Sequence, residues 1–112
     1  MQTELKQKMT RFKEACWDAV LDDIYEFKSS FFKHVPFPVC EVTGELLAWD
    51  NSHVDHVSPV TFDNIVYEFI KEKKINIDQI DIDHRSFSEE FREWHNKVCK
   101  LRIISGHANP RG

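Results

Sequence analysis

The chain has 112 residues, room for one compact domain and too little for two of ordinary size. Its net charge of −4 argues against a protein that coats nucleic acid through bulk positive charge. No apolar run approaches the roughly 20 residues of a membrane span, and Met1-Gln2-Thr3-Glu4-Leu5-Lys6 lacks the apolar stretch of a secretory leader, so no membrane association and a cytoplasmic location are expected.

Residues 3 to about 30 predict one amphipathic helix. Leu5, Met9, Phe12, Cys16, Val20, Ile24 and Phe27 recur at three- and four-residue steps, and no Gly or Pro interrupts them. Lys6, Lys13, Asp18 and Asp22 fall on the opposite, solvated face. The helix is expected to be scaffold. It could also pair with a second copy or a partner protein, in which case self-association would depend on Phe12 or Ile24.

Pro36 and Pro38 end the helical region. Residues 40–44, Cys-Glu-Val-Thr-Gly, predict a tight turn in which Gly44 takes the unusual dihedral. Leu46-Leu47-Ala48-Trp49 is expected as a short strand, turned at Asp50-Asn51-Ser52 and returning as a second strand over His53–Val57. Thr61 can cap a helix over about 62–73, where Phe62, Ile65, Val66, Phe69 and Ile70 follow the helical repeat. Residues 74–85 mix isoleucines with Asp78, Asp81 and Asp83; the spacing does not make a calcium loop, so a solvated acidic connector is expected. Ser86 with Glu89 fits a capping box for a helix over about 87–99, with Phe91, Trp94, His95 and Val98 on its apolar face. Leu101–Ile104 reads as a last strand, followed by a polar end. The fold class is therefore α+β: a small antiparallel hairpin and a further strand, enclosed by about three helices, in one domain.

Cys16, Cys40 and Cys99 lie far apart and form neither a disulfide framework nor a Cys-x-x-Cys knuckle; reduced, mostly buried thiols are expected. Charge is unevenly spread. From His95 to Gly112 there is no acidic residue, and Lys97, Lys100, Arg102 and Arg111 contribute +4; against a total of −4, the first 94 residues carry −8. Such a strip can hold one anionic ligand locally, or it is a solvated face where cations cluster by chance.

The stretch with most chemical content is His53-Val54-Asp55-His56. A carboxylate beside an imidazole, at a strand end before a proline turn, can serve metal-assisted hydrolysis: the carboxylate holds a hard cation and the imidazole takes a proton from water. On an ideal strand Asp55 and His56 point to opposite faces, so action on one phosphate requires the strand to end or twist there.

Val54-Asp55-His56, Pro59 and Phe62, followed by Leu101-Arg102-Ile103-Ile104 and Asn109-Pro110-Arg111-Gly112, resemble the HNH (ββα-metal) endonuclease family. Cys40, Thr43-Gly44-Glu45, Thr61-Phe62, Trp94-His95 and Ser105, Ala108 and Asn109 extend the likeness to an HNH-like module of bacterial and phage proteins that carry a DCL domain. The resemblance covers residues 38–112, leaving the first helix outside it. It implies a nuclease acting on DNA, with His56 as general base, Asp55 and Asn109 as oxygen ligands of one Mg²⁺ or Mn²⁺, and Lys97, Lys100, Arg102 and Arg111 as phosphate contacts. His53, His95 and His107 are candidate supporting residues. His53 reads equally well as a surface residue of the strand and His95 as a satisfied core histidine, while His107 can touch metal or phosphate. Thr43, Ser105 and Ala108 stand where zinc-binding members carry cysteines, so no structural zinc is expected. Lys100 stands where the family's middle asparagine usually lies, and the helix that the family places after its last ligand is expected to be absent or supplied differently. Both features favour the alternative of a catalytically degenerate module that binds nucleic acid or protein.

Overall fold

A run of 33 residues without glycine or proline forms the long helix α1, Gln2–His34, in the computed structural model, which describes residues 2–107. The helix outlasts its expected end near residue 30 because Phe31 and Phe32 still have a core to cover; Val35, restrained by Pro36, donates the last helical hydrogen bond to the Phe31 carbonyl at 3.0 Å. The remaining elements are a 3₁₀ turn at Trp49–Asn51, strand β1 (Ser52–His56), helices α2 (Phe62–Glu72) and α3 (Ser88–Val98), and strand β2 (Leu101–Ser105). The chain is thus α+β, with three helices and a two-stranded antiparallel sheet. Among the described residues no helix is long and apolar enough to cross a membrane.

Two compact units divide the chain. The first takes α1 up to Leu21 together with Ser58–Cys99. Its core holds Phe12, Cys16 and Val20 of α1, Ile65, Val66 and Phe69 of α2, and Phe91 and His95 of α3, all buried. Phe91 packs edge-on against Phe69, with ring centroids 5.1 Å apart. The connector between α2 and α3 is more than a solvated link. Ile77 and Ile82 are buried, while Asp78 and Asp83 pair with Lys8 and Arg11 of α1, and Arg85 pairs with Asp18. Sequence periodicity marks its charges as solvated because their partners lie some 70 residues away.

α2 begins where its sequence predicts, with the Thr61 hydroxyl accepting the Asn64 N–H at 3.2 Å. It ends in a Schellman motif. Lys74, at φ +53°, turns the chain so that Ile75 N–H reaches the Ile70 carbonyl at 3.0 Å and its own N–H reaches Lys71 at 3.3 Å. The capping box expected at Ser86 is not formed. Phe87 occupies the cap position of α3 in helical geometry, without a side-chain cap, because its ring is buried against Phe12 with centroids 4.7 Å apart.

The second unit takes Asp22–Val57 and the chain from Lys100 onward. Cys40, Leu47, Ile103 and Ile104 form its core, with Phe27, Phe31, Phe32 and Val54 packed around them. The expected strand at Leu46–Trp49 is reduced to a single bridge between Val39 and Leu46, and Trp49–Asn51 is 3₁₀. The Asn51 side chain accepts the Ala48 N–H at 2.8 Å, which winds the backbone where a hairpin would extend it. β1 pairs instead with β2, in the register Ser52↔Ser105 to His56↔Leu101. Phe12 and Ile24, on which self-association through α1 would depend, are buried within the chain's own cores.

Candidate functional site

The β1–β2 ribbon positions the Val54-Asp55-His56 run. Val54 and its cross-strand partner Ile103 pack in the core of the second unit, which fixes the register and brings Asp55 opposite Arg102. Facing residues of an antiparallel pair share a face, and here they form an ion pair, with Arg102 Nε donating to Asp55 Oδ2 at 2.8 Å. Both side chains are about seven-tenths buried, so the pair is shielded better than a surface one and contributes about 1 kcal/mol.

His56 is half-buried at the end of β1. The strand does not stop there, since Val57 N–H donates to the Lys100 carbonyl at 2.8 Å. Strand alternation therefore leaves Asp55 and His56 directed to opposite faces, tempered only by the strong twist of a two-stranded ribbon. β2 leaves the ribbon beside Ser52, at the end remote from His56.

A second polar cluster lies in the same unit, around the 40–44 turn. Gly44, at φ +79°, closes that turn, its N–H reaching the Cys40 carbonyl at 2.8 Å. The buried Cys40 sulfur accepts the N–H of Thr43 at 3.4 Å and of Ser105 at 3.3 Å. Burial pushes this thiol up, but the Thr43 hydroxyl and the backbone N–H groups of Ser105, Thr43 and Val42 favour the thiolate and bring it down to about 7. Cys16, buried without such donors, is pushed up to about 12. Glu45 accepts from His107 Nδ1 at 3.1 Å and from Ser105 Oγ at 3.4 Å. The His107 hydrogen bond is the main reason its carboxyl lies below the usual range, although burial opposes it. His107 is thus engaged with Glu45.

His53 is exposed on β1 and rests beside Gly106, where an added methyl would meet its Nε2 at 3.4 Å. His95 is fully buried in the first unit, with Nδ1 3.0 Å from Asn96 Oδ1 and rings of Phe62 and Phe91 near it; a core histidine accounts for it. Lys97 is exposed on the last turn of α3, and Lys100 is exposed just before β2. Of the four cations expected to contact phosphate, Arg102 is held by Asp55. Asn109 and Arg111 lie outside the described residues.

Sequence reasoning assigned no role to Glu45 or Lys28. Lys28 of α1 donates to the carbonyls of Trp49 at 2.8 Å and Ser52 at 3.0 Å, and its Nζ lies 4.4 Å from the Trp49 ring centroid. It ties the start of β1 to the helix. Its only sequence signal is a lysine on a polar helix face, where a solvated lysine looks the same.

Asp55 supplies the hard oxygen that magnesium takes, and magnesium binds through one or two carboxylates while keeping several waters. Among the described residues no three His, Cys, Asp or Glu side chains converge as a metal cluster. Asp55 carries the Arg102 guanidinium on its Oδ2 at 2.8 Å, so the described lining does not by itself fit such an ion. The sequence matches no protein-family model, and no curated protein or solved structure is significantly similar to it.

Proposed function

We propose that the chain is a metal-dependent HNH-type endonuclease that hydrolyses phosphodiester bonds in DNA, working in the cytoplasm of a bacterial or phage system. The observation that supports this reading is a partly accessible carboxylate, Asp55, on a two-stranded ribbon, with His56 following it in the strand.

In this reading Asp55 holds one Mg²⁺ or Mn²⁺, with Asn109 as a second oxygen donor. A bound ion would supply neutralisation of the charge on the scissile phosphate and the leaving oxygen. His56 accepts a proton from the attacking water as its oxygen bonds to phosphorus and the bond to the leaving deoxyribose oxygen breaks. Lys97, Lys100, Arg102 and Arg111 contact phosphates, which position a backbone without reading sequence.

Two observations favour a second reading, a catalytically degenerate module that binds nucleic acid or protein. The Asp55 carboxylate is taken by Arg102, and the ladder continues past His56.

Plasmid nicking by the purified chain in Mg²⁺, Mn²⁺ and EDTA, with Asp55→Ala and His56→Ala alongside, separates the two. A nuclease nicks in metal and not in EDTA, loses activity in Asp55→Ala, and slows by about 100-fold or more in His56→Ala. DNA binding that survives Asp55→Ala, with no nicking by the folded wild type in either metal, establishes the binding module instead.

A further inference from the structure

We infer that Tyr25 and Trp49, with the carboxylates that border them, form a docking face for an arginine-rich segment of a partner protein. The face uses neither Asp55 nor His56, so it goes beyond the nuclease reading and does not depend on it.

The face lies within the second unit. Tyr25 of α1 is 59% exposed, and Trp49 of the 3₁₀ turn is 40% exposed. Exposed aromatic side chains that stand together mark contact surfaces. These two rings meet nearly edge to face, with centroids 5.6 Å apart, so each helps to hold the other in place. Exposed carboxylates border them: Asp22 lies one turn before Tyr25 on α1, Glu26 follows Tyr25, and Asp50 follows Trp49. Asp22 and Glu26 are four positions apart on one helix, a like-charge pair that costs helix stability. Neither makes an ion pair among the described residues. An incoming cation removes that repulsion and gains both carboxylates.

The molecule already places one cation against these rings. The Lys28 ammonium lies 4.4 Å from the Trp49 ring centroid, within cation–π range, and the Asp50 charge acts on it. Lys28 is committed to the carbonyls of Trp49 and Ser52, at 2.8 and 3.0 Å, which leaves Asp22, Glu26 and the exposed Tyr25 ring to a partner. A guanidinium suits them better than an ammonium: it stacks flat on an aromatic ring and donates to carboxylates from its edge. A second copy of the chain is disfavoured by the net charge of −4, which attracts a basic protein instead.

The probe is a fluorescein-labelled peptide of alternating arginine pairs and leucine, titrated with the full chain and followed by fluorescence anisotropy. Peptides with lysine or glutamate in place of arginine are compared with it. The variants are Tyr25→Ala, Tyr25→Phe, Asp22→Asn/Glu26→Gln and Glu89→Gln/Glu90→Gln, with circular dichroism to establish folding. The last removes the same number of exposed carboxylates from α3 and measures the effect of bulk acidity. Wild type is expected to bind the arginine peptide, to bind the lysine peptide more weakly, and not to bind the glutamate peptide. Tyr25→Ala and Asp22→Asn/Glu26→Gln should each weaken arginine-peptide binding about fivefold, while Tyr25→Phe and the α3 variant stay within about twofold of wild type. Absence of binding by folded wild type overturns the inference. So does Tyr25→Ala binding as well as wild type, or an α3 variant that loses as much as Asp22→Asn/Glu26→Gln, which would reduce the interaction to bulk charge. If Tyr25→Ala does not fold, the two carboxylate variants decide, and equal affinities overturn the inference.

Discussion

Cys40 illustrates how much a side chain's chemistry depends on donors brought from elsewhere in the chain. A buried thiol in apolar surroundings holds its proton, as Cys16 does. Cys40 is equally inaccessible, yet N–H groups from its own turn and from Ser105, 65 residues away, point at its sulfur. The folded protein should therefore show thiolate absorbance near 240 nm rising around pH 7, and Cys40→Ala should remove that step. Because the folded value of about 7 lies below the ordinary 9.0, the unfolded chain binds the extra proton between them. The contribution to stability is complete above about pH 9 and is lost as pH falls through about 7. A Cys40→Ala protein whose stability follows the same pH course as wild type between 7 and 9 would refute this. Neither the turn donors nor Glu45's tie to His107 was visible in the sequence, which shows the Thr-Gly-Glu run but not the strand end that folds onto it.

Elements were legible in proportion to how local their causes are. The pattern of Phe62, Ile65, Val66, Phe69 and Ile70 together with Thr61 placed α2 to within a residue at each end, since burial, periodicity and cap all lie inside twelve residues. Its C-terminal cap puts lysine where the left-handed conformation favours glycine, at φ +53° for Lys74. Lys74→Gly should therefore stabilise the protein by about 1 kcal/mol, read as a shift of the urea midpoint without a change in slope. A destabilisation would mean that the lysine side chain contributes more than the backbone strain it introduces. β1 was read as a strand from the same kind of local signal, but its partner was not. Asp50-Asn51-Ser52 looks like a hairpin turn, and the competing pairing partner, β2, lies beyond two helices.

For the chain as a whole, stability rests on two apolar cores, and aromatic side chains dominate the one built by α2, α3 and the first part of α1. Phe91 is fully buried and touches the rings of Phe69 and Phe62, with centroids 5.1 and 6.0 Å away. Phe91→Ala deletes that volume and leaves a cavity, so it should cost about 4 kcal/mol in urea unfolding. That is a large fraction of the roughly 5–15 kcal/mol that holds a domain of this size. A cost under about 1 kcal/mol would show that the surrounding rings collapse into the space. The acidic connector belongs to this scale too. Its aspartates pair with Lys8 and Arg11, so its charges serve to hold a loop on a helix rather than only to solvate it.

The sequence by itself determined the α+β class, the three helices, the burial of α1 from Phe12 to Ile24, and the run that holds Asp55 and His56. Each is a matter of side-chain period or of neighbours within a few residues, and the energy of burial acts on the same short range as the pattern. Only the tertiary structure decided which strand pairs with β1, that Arg102 sits on Asp55, that His107 is engaged by Glu45, and that Ser105 acidifies Cys40. Each of these joins residues between 45 and 65 positions apart, where the partner is chosen by which register buries Val54 against Ile103. A one-residue slip of that register would turn Asp55 away from Arg102, so the chemistry of the candidate site is set by packing on the other face of the ribbon.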